Sequence, residues 1–143
     1  MKRPKKVVSY TPVDTKKEVK VSKCSTCIEW ESQKPSWNFS MMDRDGQWSW
    51  KNVSYGKWIE IVNKLQEFEN LSWTQIKEKG SHQIEVYKIV KEARQRLTLL
   101  NQDDTDFVFS LRLTGKNRIF GILRSNVLNF VWWDPNHEIC PSK

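Results

Sequence analysis

The strongest constraint on the fold is the run from Phe107 to Trp133, where apolar residues recur at every second position and turn residues interrupt twice. A period of two sends alternate side chains to opposite faces of an extended strand, so the run has to pair with itself as sheet. Three strands result, Phe107–Leu113, Arg118–Arg124 and Val127–Trp133. Gly115, Lys116 and Asn117 make the first turn, Ser125 and Asn126 the second, and Asp134, Pro135 and Asn136 close the meander. On the first strand Phe107, Phe109, Leu111 and Leu113 share a face opposite Val108, Ser110 and Arg112. On the second, Arg118, Phe120, Ile122 and Arg124 share a face opposite Ile119, Gly121 and Leu123.

Upstream the period is helical. Trp58, Ile61 or Val62, Leu65 and Phe68 recur at three- and four-residue spacing after Ser54, which predicts about four turns of helix. Ser72 and Gln75 stand at capping-box spacing and open a short helix that Gly80 ends. A third helix is expected from near Ser81, with Ile84, Tyr87, Val90, Ala93, Leu97 and Leu100 as its stripe. Helices followed by a meander give an α+β fold: two or three helices on one face of a three- to four-stranded antiparallel sheet. Residues 24–53 form a Trp-rich extension expected to lie over the core as loops and short strands. The single domain spans 24–143, with helices over 54–100 and the meander over 107–139, and residues 1–23 form a basic arm without periodicity.

Charge is unevenly spread. Of the 24 Lys/Arg and 17 Asp/Glu behind the net charge of +7, residues 1–23 hold eight and two, so the domain carries 16 and 15 and is almost neutral. The arm suits polyanion binding, or serves as a solvated tail that aids solubility. No stretch approaches the roughly 18 apolar residues of a membrane span, and basic Met1–Val8 is followed by polar residues rather than the apolar core of an export signal. No membrane partner and a cytoplasmic address are therefore expected. Three Cys without an export signal argue for thiols or metal rather than disulfides. Cys24 with Cys27, and His137 with Cys140, are two pairs at knuckle spacing that could close a structural Zn²⁺ site. The other reading leaves them as incidental thiols.

Arg112, Arg118 and Arg124, if they share an open face, make a cationic strip that outlines a phosphate site; otherwise they are ordinary solvated arginines on a half-exposed sheet. One of Trp132 and Trp133 is expected in the core and the other on the open face, where Trp133 could stack a nucleobase or pack beneath the extension.

The helices followed by the segment Phe107–Ile122 and a closing apolar strand resemble the RelE/YoeB/HigB toxins of toxin–antitoxin pairs, over about residues 81–139. The resemblance implies a small α+β domain that enters the ribosomal A site and cuts ribosome-bound mRNA, with no cofactor needed for cleavage and an antitoxin-like protein partner. It implies that Arg118 clamps the scissile phosphate, Arg112 stabilises developing charge and His137 is the acid–base residue, with Lys116, Arg124 and Trp133 as further RNA contacts. A His137 that binds zinc cannot also be that acid–base group. Residues 1–53 have no counterpart in compact members of the family. The alternative is a non-catalytic interaction protein on the same scaffold, of phage or mobile-element origin, that binds nucleic acid or protein.

Overall fold

The computed structural model describes residues 30–141; the basic arm and Cys24 and Cys27 lie outside the described residues. In chain order the elements are β1 (Ser36–Asn38), α1 (Tyr55–Phe68), α2 (Trp73–Glu78), β2 (His82–Glu85), a 3₁₀ turn (Val86–Lys88), α3 (Lys91–Leu99), β3 (Phe107–Arg112), β4 (Arg118–Arg124) and β5 (Val127–Asp134). They form an α+β unit around a five-stranded sheet in the order β1-β5-β4-β3-β2. The meander is antiparallel, β2 joins it antiparallel, and β1 pairs parallel to β5.

Local signals place α1 and α2. The Ser54 hydroxyl accepts from Lys57 N, and Ser72 and Gln75 form a complete capping box, so backbone donors that a helix start leaves open are satisfied. The third helix departs from expectation. Residues 82–85 are strand, and helix begins only at Lys91. Pairing His82 with Ser110 through to Glu85 with Phe107 covers the backbone edge of β3, which a helix there would leave open. Tyr87, expected on the buried stripe, is 70% exposed.

Helices cover both faces of the sheet rather than one. Ile61, Leu65, Phe68, Trp73 and Ile76 of α1 and α2 pack on Phe109, Leu111, Ile119 and Phe130, while Ala93 and Leu97 of α3 pack on Val108, Phe120, Ile122 and Trp132. Double coverage explains why β5 reads as an almost continuous apolar run. A bulge refines its alternation: Gly121 pairs with Phe130 and Phe120 with Trp132, leaving Val131 as the extra residue. Val131 and Trp132 consequently both face α3, and Trp133 faces α1. A Cβ on Gly121 would collide with the Asn129 carbonyl oxygen, so this strand crossing requires glycine.

The Trp-rich segment takes up the upper edge of β5, beyond β1. Asp43 N donates to Val131 O (2.8 Å) and Trp133 N to Trp48 O (3.0 Å). Trp50 joins the α1 cluster and Trp48 the α3 cluster. Asp43, 1% exposed, fixes the segment: its carboxylate accepts Arg96 Nε and Nη2 (2.9 and 2.8 Å), Trp132 Nε1 (3.0 Å) and the amides of Asp45 and Gly46. Burial alone would raise its pKa, but hydrogen bonds from Arg96, Asp45 and Trp132 hold it below the ordinary aspartate value.

Asp43→Ala strands the Arg96 guanidinium and a buried indole N–H, and an equilibrium denaturant titration should show a loss of about 3 kcal/mol. Because the folded carboxyl titrates below the ordinary value of about 3.9, its stabilisation is complete above that pH and lost as pH falls through the folded value. The stability gap between wild type and Asp43→Asn should therefore narrow below about pH 4.

Candidate functional site

At one end of the sheet, on the α3 face, a single row crosses three strands: Arg112 pairs with Arg118, and Arg118 with Asp134. The row follows from register, since Arg112 and Arg118 flank a short turn and Asp134 ends the strand that β4 pairs with. It lies past the last core residues, where Ser110, Phe120 and Trp132 form the preceding, buried row. Like charges directly opposite on a sheet repel. Among the described residues neither guanidinium has a carboxylate within 4.0 Å.

Arg118 is nevertheless held. Arg118 Nη1 donates to the carbonyls of Gly115 (2.8 Å) and Asn117 (3.1 Å), which fixes the guanidinium against the β3–β4 turn. Burial and the Arg112 charge depress its pKa from a reference so high that it stays cationic, with Asp134 opposing. Arg112 is exposed, its backbone N–H bonds Ser81 Oγ (2.9 Å), and its side chain passes over Gly80. Gly80 has φ +111°, a conformation that favours glycine, and a Cβ there would stand 3.0 Å from Arg112 Nη1 and 3.1 Å from Cδ, so the Arg112 side chain would have to shift.

Asp134 is buried but does not neutralise the row by contact. Its two oxygens accept the amides of Glu138 (2.9 Å) and Ile139 (2.8 Å), turning the chain back so that Ile139 is fully buried and its carbonyl accepts Val90 N. That turn carries His137, in the left-handed region at φ 60°, into the field of the arginines. Burial first, then Arg118, lowers the His137 pKa, with Arg112 and His82 adding and Asp134 opposing. The imidazole is therefore neutral at neutral pH.

His82, to which sequence reasoning gives no role, belongs to the same cluster. It sits on β2 opposite Ser110, one row from Arg112, and its charge bears on His137. Its Nδ1 lies 3.2 Å from the Gly80 carbonyl. A carbonyl only accepts, so in this contact Nδ1 is the donor. The signal was Gly80-Ser81-His82 itself, which becomes informative only once the segment is known to be the partner of β3.

The other expected residues disperse. Lys116 is exposed at the tip of the turn that holds Arg118. Arg124 pairs with Val127 at the opposite end of β4, so the expected three-arginine strip is a two-arginine row. Trp133 is not on the arginine face: it is 7% exposed on the α1 face, with its ring centroid 6.0 Å from that of Trp50, and Trp132 is fully buried. Of the four candidate zinc ligands, Cys24 and Cys27 lie outside the described residues and Cys140 Sγ donates to Lys88 O at 3.8 Å. Among the described residues no group of three or more His, Cys, Asp or Glu is arranged to hold a metal ion. No described helix is long and apolar enough to cross a membrane.

One guanidinium fixed by two carbonyls, a second on the neighbouring strand and two imidazoles make a cluster that can bind a phosphate diester and exchange a proton with it. No family model, curated protein or solved structure matches this chain.

An NMR titration should find His137 with a pKa below the ordinary 6.5. Removing the cationic neighbour in Arg118→Ala should move that midpoint upward, whereas Arg124→Ala should leave it in place.

Proposed function

We propose that this chain binds single-stranded RNA at the Arg112–Arg118 row and cleaves it there without requiring a metal ion, inhibiting translation in the manner of the RelE-like toxins it resembles. The observation that carries the reading is the pair of facing arginines with no described carboxylate within 4.0 Å, in one row with Asp134, whose turn carries His137. Cleavage of RNA needs a base for the ribose 2′-OH, positive charge for the pentacoordinate phosphorane and a proton for the departing 5′ oxygen. Neutral His137 accepts the 2′-OH proton, the 2′ oxygen attacks phosphorus, and the P–O5′ bond breaks to leave a 2′,3′-cyclic phosphate. The 5′ oxygen takes its proton from solvent or from a histidine of the cluster. Arg118, immobilised by two carbonyls, and Arg112 hold the non-bridging oxygens; fixed donors of this kind cost no reorganisation during the reaction.

Bacterial expression should arrest translation and leave ribosome-bound mRNA cut. Arg118→Ala should reduce the cleavage rate by about 10²–10³ while costing only about 1–2 kcal/mol of stability for its two hydrogen bonds to the turn. Intact mRNA during wild-type expression, or an alanine variant as active as the parent, rejects catalysis.

One observation favours the second reading, a non-catalytic interaction protein. Tyr55, Ile59 and Val62 stand on the outer face of α1 at helical spacing and are 80%, 42% and 42% exposed. Such a stripe also suits the antitoxin-like partner of the first reading. Uncut RNA together with a stable complex through this stripe would select the second.

A further inference from the structure

On the sheet face opposite the arginine row, α1 and the β3–β4 turn enclose a cavity of about 260 Å³. That is less than the roughly 300 Å³ at which pockets for drug-sized molecules begin, and it suits one planar ring system. Trp133 and Leu113 supply its apolar lining, and Asn63, Thr114 and Asn117 supply neutral donors and acceptors. The two lysines beside it are already paired, Lys57 with Glu60 at 2.9 Å and Lys64 with Glu67 at 3.3 Å. A free anion therefore finds no unpaired charge there. Trp133, 7% exposed, borders the cavity beside amide side chains, and aromatic and amide groups together are the chemistry by which proteins hold an unstacked base.

The cavity and the phosphate site share one piece of backbone. Thr114 and Asn117 line the cavity, while Gly115 and Asn117 offer the carbonyls that hold Arg118. The Asn117 amide is tied only by a long 3.4 Å bond to Thr114 Oγ1, so it can re-pair with a ligand at little cost. Lys116 stands exposed at the tip of the turn between the two sites, where it can meet an intervening phosphate.

We propose that this cavity takes one nucleobase of the RNA strand whose phosphate is held by Arg112 and Arg118. The inference rests on the reading of that row as an RNA site. It assigns the two ends of the β3–β4 turn different tasks, with backbone phosphate on one side and base on the other.

The test uses the full chain and uncleavable 2′-O-methyl hexanucleotides of each base, compared with an abasic hexamer carrying the same phosphates. At least one base should bind about 10-fold more tightly than the abasic strand, within the roughly 5- to 150-fold expected of one stacked base. Asn63→Phe, an exposed helix position that fills the cavity, should bring base and abasic affinities to within about twofold while leaving abasic binding as it was. Thr114→Phe fills the cavity from the turn and serves as the independent variant should the first fail to fold. Equal binding of all hexamers and the abasic strand, or a base preference that survives both fillings, overturns the inference. Arg118→Ala separates the two levels: it should weaken every strand alike. If abasic binding depends on Arg118 while bases add nothing, only the base site falls; if abasic binding ignores Arg118, the RNA reading falls with it.

Discussion

Asp43 accepts five hydrogen bonds from α3, β5 and its own loop while 1% exposed, and the remaining architecture depends on that convergence. With the backbone bonds to β5 and the burial of Trp48 and Trp50, it holds the loop from Asp43 to Trp50 along the upper half of β5, covering that edge. The same loop inserts Trp50 into one cluster and Trp48 into the other, so one buried carboxylate coordinates both faces of the sheet. Trp48 Nε1 also donates to Glu138 (3.2 Å), within the turn that carries His137. The candidate site thus rests on a staple formed some ninety residues earlier in the chain.

How far the sequence revealed this depended on how local each determinant is. The meander was legible because strand period and turn chemistry are written within a few residues, as with Gly115 to Asn117. The capping box at Ser72 and Gln75 was legible for the same reason. Residues 82–85 were not, because His82, Gln83, Ile84 and Glu85 become a strand only when the open edge of β3 is there to accept them. Nor was the bulge: one extra residue, Val131, sends both Val131 and Trp132 to α3 and Trp133 to α1. Nothing local to Asp43 signalled its ion pair, since its partner Arg96 lies 53 positions away.

The candidate site divides along the same line. Arg112 and Arg118 meet because a short turn fixes their register, a local fact. His137 follows from Asp134, Pro135 and Asn136 ending β5, although its approach to the arginines needs the two amide bonds to Asp134. His82 could be placed only through the non-local β2–β3 pairing. Arg124 shows the reverse error: alternation puts it on the same face as Arg118, but six residues of strand carry it to the opposite end of the sheet.

The Arg112–Arg118 row places two like charges face to face across the sheet. Elsewhere in the described residues arginine charge is satisfied where the core demands it, as with Arg96 on Asp43. At the row, the one nearby buried carboxylate, Asp134, spends both oxygens on backbone amides and leaves the guanidinium pair without a contact anion. Moving those oxygens to the arginines would relieve the repulsion but release the turn that holds His137. The arrangement therefore keeps the histidine in place at the expense of positive charge without a contact anion, which is the feature the proposed RNA site would use. Because the domain is otherwise almost neutral, with 16 basic and 15 acidic residues over 24–143, the positive field at the row is a property of this placement rather than of composition.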